Sequence, residues 1–169
     1  MTKQLNKKGT SLVELIAVIV IMGIIAGIAV PVTIAVINRQ KKNAAAKSAE
    51  AVVATMKQLT QELIAQATST VEITLNYPSG QGATAANVPS TATVKIDGTA
   101  QSTDAYPASE FVVENLKALG TVTSTYYVVA SGSGASAHAA GTYSFTVSGF
   151  TVSGRSVTAI SGEGVATVS

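Results

Sequence analysis

The chain has 169 residues, of which 47% are hydrophobic, 12% are charged and none is cysteine. The absence of cysteine excludes disulfides, thiolate zinc sites and cysteine nucleophiles. The formal net charge is only +2, so the chain lacks the basic excess that binds a nucleic-acid backbone.

The N-terminus is basic and leads into a long apolar run. Lys3, Lys7 and Lys8 precede the first acid, and the rest of the chain carries eight basic and nine acidic side chains. Residues 15–37 contain no charge, and as a helix they extend about 34 Å. This length crosses a hydrocarbon core of about 30 Å. A cleavable secretory signal has a shorter apolar region of about 7–15 residues, so the run predicts a membrane span.

Cations flank this run on both sides, because Arg39, Lys41 and Lys42 follow it. The positive-inside rule places the flank richer in lysine and arginine in the cytoplasm, and here the two flanks are balanced. Because the tail before the run is short, we expect the N-terminus to lie on the cytoplasmic side.

Small residues recur every four positions within the run, at Gly23, Gly27 and Pro31. The Gly-x-x-x-Gly spacing fits a helix-packing face in lipid, although glycine is also generally frequent in membrane helices. Pro31 has no N–H to donate to the carbonyl of Gly27. We predict local kinking or unwinding over residues 23–31.

The N-terminal sixty residues resemble the type IV pilin family, which includes the pseudopilins of secretion and competence systems. The resemblance rests on "KKGTSLVE" (residues 7–14), on the apolar run and on Pro31, seventeen residues beyond Glu14. It implies that residues 1–9 are a leader, which a prepilin peptidase removes by cutting between Gly9 and Thr10. It also implies N-methylation of Thr10, although the family has phenylalanine or methionine at that position.

Glu14 is the one carboxylate at the edge of the apolar run. A carboxylate in lipid costs about 2.5–3.5 kcal/mol on insertion scales, so it needs a partner. Cleavage after Gly9 creates an ammonium group at Thr10, one helical turn from Glu14. We expect Glu14 of one subunit to pair with the Thr10 amine of another and to set the axial register. The alternative is a carboxylate in the headgroup zone with no specific partner.

The helical pattern continues beyond the apolar run. No glycine or proline occurs between Pro31 and Tyr77, which predicts one helix over residues 10–68. Residues 10–37 form its membrane or fibre-core half. Residues 38–68 form an amphipathic half, with apolar residues at helical spacing. The stripe comprises Ala49, Val52, Val53, Met56, Leu59, Leu63, Ile64 and Ala67.

Residues 69–169 are rich in Thr, Ser, Val, Ala and Gly, which is typical of short strands joined by turns. The predicted strands are "TVEITLN", "TATVKI", "TSTYYVVA", "TYSFTVS" and "SVTAIS". Asp97-Gly98 predicts a hairpin turn. We expect an α+β, pilin-like fold in which an antiparallel sheet of about four to six strands packs on the C-terminal half of the long helix.

Two further segments of the predicted, mostly β, globular domain over residues 69–169 carry local signals. "PASEFVVENLKALG" (residues 107–120) predicts a helix, with Ser109 as its N-cap and Gly120 as its end. "ASGSGASAHAAG" (residues 130–141) predicts a mobile loop by its composition.

The chain offers little for catalysis or for a cofactor. His138 is the single histidine and lies in that loop, while Asp97 and Asp104 are the only aspartates. A Ser–His–Asp arrangement needs a rigidly held imidazole and an orienting acid, and a zinc site needs further histidines or cysteines. We therefore expect a protein that is neither an enzyme nor a cofactor carrier.

The resemblance implies a structural subunit, made as a precursor in the cytoplasmic membrane and polymerised into an extracellular pilus for adhesion, motility or related surface functions. Its partners would be copies of itself, the prepilin peptidase, and an assembly platform with its ATPase. One alternative is a pseudopilin or minor pilin of a secretion or DNA-uptake system. Another is a single-pass, membrane-anchored binding domain that keeps residues 1–9.

Overall fold

The computed structural model describes residues 12–78, 88–114 and 116–169. Its first element is helix α1, Leu12–Leu63, which one 3₁₀ turn, Ile64–Gln66, extends. The predicted single helix is thus present within the described residues, and its α-helical part ends five residues before the expected position. The chain leaves the helix there because the next residues bind an aspartate of the sheet, as described below.

Helix α1 is α-helical throughout residues 23–31, with Pro31 inside it. The predicted unwinding is therefore wrong for the single chain, because the missing hydrogen bond at Pro31 interrupts only one step of the i→i−4 ladder. The alternative, a kink in a continuous helix, stays a prediction. The role of Gly23, Gly27 and Pro31 as a soft stretch in an assembled fibre stays a prediction.

The chain divides into two compact units, Met1–Gln40 and Lys41–Ser169. The second unit, which we call the head domain, contains the last part of α1, the sheet and the hydrophobic core. The helix stripe is confirmed in part. The buried residues of α1 are Ala45, Ala49, Val52, Val53, Met56, Thr60 and Leu63, which include five of the eight predicted members. The other three, Leu59, Ile64 and Ala67, are only half-buried.

The sheet has seven strands, all paired antiparallel, in the order β3-β2-β1-β4-β5-β6-β7. The strands are β1 (Thr70–Tyr77), β2 (Thr91–Ile96), β3 (Thr99–Ala100), β4 (Ala118–Tyr127), β5 (Thr142–Val152), β6 (Arg155–Ile160) and β7 (Ala166–Val168). All five predicted strands are present, but β4 begins five residues before and ends three residues before the predicted "TSTYYVVA". The seven strands exceed the expected four to six. The two extra strands, β3 and β7, are only two and three residues long, too short to give a clear alternating pattern.

Alternation along the strands separates two faces of the sheet. On β1, Val71, Ile73, Leu75 and Tyr77 are fully buried in the same cluster as the helix stripe. The intervening residues form polar rows across the four central strands. In the middle row, Thr93 pairs with Thr74, Thr74 with Thr123, and Thr123 with Thr146. The expected α+β fold, with the helix packed on an antiparallel sheet, is confirmed.

Residues 107–120 do not form the predicted helix. The structure has a short 3₁₀ helix, Ala108–Phe111, preceded by Pro107, and the chain is extended again at Val112. Phe111, Leu116 and Ala118 are buried in the core, at spacings that one α-helix does not place on a single face. Burial of these three side chains therefore outweighs the local capping signal.

Gly120 lies within strand β4 and ends no helix. Its φ is +88°, and the pairing between β4 and β5 shifts register between Leu119 and Thr121. A Cβ at this position would fall against the carbonyl of Gly149 on β5. The glycine thus permits a β-bulge with close backbone contact.

The two remaining turn predictions have different outcomes. Asp97 and Gly98 have φ values of +51° and +79° and join β2 to β3, so this hairpin turn is confirmed. Residues 130–141 are a connection, as expected, but the backbones of Ser131 and His138 exchange two hydrogen bonds of 3.0 and 2.7 Å. This segment therefore has more regular hydrogen bonding than its composition indicates.

Candidate functional site

The candidate site is the apolar first part of α1, which exposes its hydrophobic surface. Among the described residues, twenty large hydrophobic side chains are exposed, and seventeen of them lie between Leu12 and Ile37. The other three, Val112, Val129 and Val165, are scattered over the head domain. Contiguous apolar surface on this scale marks a segment that is covered by lipid or by another protein surface.

Helix α1 is long and apolar enough, by length and composition, to cross a membrane. Its most apolar stretch has no residue buried within the chain, unlike the core helix of a soluble domain. The expectation of a membrane-anchoring helix is thus consistent with the structure.

Thr33 is one of the few polar residues within this segment. The hydroxyl of Thr33 donates to the carbonyl of Ala29 at 2.8 Å, so its hydrogen bond stays within the helix. A Cβ added at Gly23 or Gly27 would meet no atom within 4 Å. No contact within the described chain therefore requires these glycines, and the packing-face interpretation concerns a second helix.

Glu14 lies in the first turn of α1 as the structure describes it. A carboxylate is favourable there because the unbonded N–H groups carry the positive end of the helix dipole. Gly9 and Thr10, the predicted cleavage and methylation site, lie outside the described residues. The predicted pairing of Glu14 with the Thr10 amine thus stays a prediction.

His138 is held more firmly than its sequence context indicates. Its imidazole ring stacks on the ring of Tyr127, with centroids 4.2 Å apart and planes 5° apart. Within the described ranges, no three His, Asp or Glu side chains come together as a group able to hold a metal ion. The imidazole therefore packs on an aromatic ring and belongs to no metal-ligand group in this part of the chain.

Asp97 binds the connection between α1 and β1. Its carboxylate accepts hydrogen bonds from the backbone N–H groups of Thr68, Ser69 and Thr70, at 2.6 to 2.9 Å, and from the Thr68 hydroxyl at 2.7 Å. These bonds, with that of the Thr68 N–H foremost, hold the pKa of the Asp97 carboxyl well below its usual range. The sequence pattern identified the turn, but not this contact of the carboxylate with residues 27 to 29 positions earlier in the chain.

A second polar cluster joins α1 to the sheet, and the sequence pattern does not predict it either. Lys57 Nζ donates to the Glu163 carbonyl at 2.7 Å and lies 4.9 Å from the centroid of the Tyr143 ring. Gln61 donates to the Tyr143 hydroxyl at 3.1 Å, and burial raises the pKa of that hydroxyl. The partners are more than 80 residues apart in the sequence, so no local pattern could reveal them.

Two grooves in the described part of the chain lie near these elements. One of about 300 Å³ lies between α1 and the 3₁₀ helix Ala108–Phe111 and includes Glu62 and Glu110. Another, of about 400 Å³, lies beside Tyr143 and includes Ser161 and Glu163. Neither is lined by a histidine or a lysine, so neither pairs a nucleophile with a nitrogen base.

Comparison of the chain with protein-family models, with curated proteins and with solved structures finds no match.

Proposed function

We propose that the protein is a structural subunit that polymerises into an extracellular type IV pilus. The observation that carries this proposal is the exposed apolar stretch between Leu12 and Ile37, whose helix continues into the core of a folded head domain. A helix of this kind needs an apolar environment. A bilayer provides it before assembly, and a bundle of identical helices provides it afterwards.

The sequence around the predicted cleavage site gives this proposal its specificity. The basic leader, Gly9 and the position of Glu14 all match the spacing expected of a precursor that a prepilin peptidase cuts. The new amine of Thr10 in one subunit then pairs with Glu14 of a neighbour. The apolar surface stays out of water both in the membrane and in the fibre. The hydrophobic contribution to the free energy of the subunit is therefore kept when it moves from one to the other. An assembly platform and its ATPase supply the mechanical work.

The first experiment is an intact-mass and N-terminal analysis of material sheared from cells. A chain that begins at Thr10, with or without one added methyl group, in a high-molecular-weight polymer is the expected result. A chain found only in membranes and still carrying residues 1–9 would contradict the proposal and favour a membrane-anchored binding domain. Short, scarce polymers would favour a pseudopilin over a major pilin.

The role of Glu14 is tested with the neutral, nearly isosteric Glu14→Gln. Removing one member of a buried ion pair costs about 3–5 kcal/mol, which weakens subunit association by more than about a hundredfold. We expect normal precursor levels and a loss of fibres. Thr33→Val is the matched control, because it removes a polar group that bonds only within its own helix. It should leave fibre yield unchanged; equal fibre yields for both variants would rule out the register role.

A further inference from the structure

A cluster of cations follows the apolar run on α1. Arg39, Lys41 and Lys42 lie within one helical turn, and the first of them is two residues beyond Ile37. All three side chains are exposed. We call these three residues the cationic collar.

The collar has no acidic partner in the part of the chain that the structure describes. The two ion pairs found there join Lys47 to Glu50 and Lys95 to Glu72. Residues 38–49 contain no acid, and the first one, Glu50, is engaged by Lys47 at 2.6 Å. That hydrogen bond is the main cause that lowers the pKa of Glu50. The local charge of +3 is therefore uncompensated within the helix.

The rest of the chain beyond the collar has a net negative charge. From residue 43 onward the chain carries five basic and eight acidic side chains, a formal charge of −3. The collar and residues 43–169 thus have opposite net charges. An anionic surface that attracts the collar repels residues 43–169 as a whole.

The position of the collar along the helix determines which anion it meets in the membrane. Residues 15–37 extend about 34 Å and fill a hydrocarbon core of about 30 Å. The next turn therefore lies at the depth of the phosphate groups. With the N-terminus inside, this turn is on the outer side, where the positive-inside rule does not favour cations. Anionic lipid phosphates at this depth would offer these cations partners of opposite charge.

We propose that the cationic collar binds the phosphate groups of anionic lipids in the outer part of the bilayer, and so fixes the depth of the subunit before assembly. Long arginine and lysine side chains reach phosphates from a helix end while their stems stay against apolar surface. The inference rests on the membrane-resident form of the proposed function. It adds that extraction into a fibre separates the collar from these lipids.

The test uses the full chain in nanodiscs that contain equal amounts of phosphatidylglycerol and phosphatidylcholine. The chain has no cysteine, so Asn43→Cys gives one labelling site beside the collar for a fluorescent donor. Energy transfer to acyl-chain-labelled phosphatidylglycerol or phosphatidylcholine then reports the local lipid composition. We expect enrichment of the anionic lipid by about fivefold, the factor that one surface cation contributes to binding an anionic membrane. It should decrease at high salt.

The critical variant is Arg39→Gln/Lys41→Gln/Lys42→Gln, because glutamine has a helix propensity close to that of lysine and arginine. It should abolish the enrichment, with unchanged helix content by circular dichroism. The control, Lys117→Gln/Arg155→Gln, removes cations of the head domain and should retain the enrichment of anionic lipid. Equal local amounts of both lipids around the unmodified collar would overturn the proposal, and so would enrichment that survives the triple variant.

The lipid measurement also distinguishes the collar proposal from the pilus proposal. Lipid binding by the collar needs neither cleavage at Gly9 nor polymerisation, so the collar can bind lipid even if the chain forms no pilus. If the unmodified collar shows no enrichment but the triple variant loses fibres, the collar binds carboxylates of a neighbouring copy. That outcome would overturn the lipid proposal and leave the pilus proposal standing.

Discussion

At the scale of single residues, Asp97 links two parts of the head domain. Its left-handed backbone, with φ of +51°, places it in the turn between β2 and β3. Its carboxylate binds three successive N–H groups where the chain leaves α1 and enters β1. Because these donors prefer a charged acceptor, the folded protein favours the ionised form of Asp97.

This preference predicts a loss of stability in acid. The pKa of Asp97 is lowered by folding, so its contribution is complete above its unfolded pKa of about 4. The contribution disappears as the pH falls toward the lower folded pKa. We expect Asp97→Asn to lower the urea midpoint of the full chain in detergent at pH 7, with a smaller difference at pH 2. Asparagine tolerates a positive φ, so the variant tests the charge.

Asp104→Asn is the matched control, since the Asp104 carboxylate accepts no hydrogen bond in the described part of the chain. It should leave the midpoint unchanged at both pH values. An equal effect of the two substitutions would mean that net charge, and not the contact with Thr68, Ser69 and Thr70, determines the acid response.

Ser124 offers a second prediction at this scale. It is 1% exposed on the helix-facing side of β4, and its hydroxyl has no hydrogen-bond partner among the described residues. Ser124→Ala removes a buried polar group without such a partner, so we expect a gain of up to about 1 kcal/mol in unfolding free energy. Thr60 is equally buried, but its hydroxyl donates to the Met56 carbonyl at 2.8 Å. Thr60→Val should therefore give no gain. Urea denaturation compares the two, and a loss of stability for Ser124→Ala would imply that its hydroxyl is bonded.

At the scale of elements, the β-bulge between β4 and β5 determines how the sheet continues beyond its central strands. Before the bulge, Ala118 and Leu119 pair with Val152 and Thr151; beyond it, Thr121 pairs with Ser148. The shift keeps Ala118, Val122, Phe150 and Val152 all buried in the core. Gly120 allows this because the close approach of β5 leaves no space for a side chain.

Gly120→Ala should therefore be strongly destabilising. The added methyl group meets backbone atoms of Gly149 and Phe150, and the positive φ adds strain of about 1–2 kcal/mol. We expect a loss of at least about 3 kcal/mol in unfolding free energy, measured by urea denaturation.

Gly98→Ala separates strain from steric clash. Gly98 also has a positive φ, of +79°, but an added Cβ meets nothing within 4 Å. The loss of unfolding free energy in Gly98→Ala should therefore be limited to about 1–2 kcal/mol. If Gly120→Ala cost no more than Gly98→Ala, the close contact with β5 would not be a constraint on the bulge.

At the scale of the whole molecule, burial and exposure are divided between the two units. The described core residues run from Ala45 to Val168, all within Lys41–Ser169. The large apolar side chains that are exposed lie mainly between Leu12 and Ile37. The stability of the head domain and the need for an apolar environment therefore arise from different parts of the chain.

This division predicts that residues 41–169 fold without the rest. The truncated chain should be monomeric without detergent and should unfold in one cooperative transition, with a free energy of about 5–15 kcal/mol. Size-exclusion chromatography and urea denaturation followed by circular dichroism would measure both. Aggregation, or a gradual loss of structure, would show that the head domain depends on the apolar helix.

The sequence alone determined the features that depend on neighbouring residues. The long helix follows from an uninterrupted helical pattern, and the five main strands follow from β-branched, alternating segments. The turn at Asp97-Gly98 follows from two residues that tolerate a positive φ. The apolar run, the predicted leader and Glu14 are also local, so the candidate assembly segment could be proposed without the structure.

Only the tertiary structure decided the features that depend on distant contacts. Residues 107–120 carry helix signals, yet the described part of this segment forms only a short 3₁₀ helix, with Phe111 and Leu116 buried against the rest of the core. Asp97 binds Thr68, and Lys57 binds the turn at Glu163, over separations that no local pattern encodes. The physical reason is that core burial and long-range hydrogen bonds outweigh local propensities of a few tenths of a kcal/mol per residue.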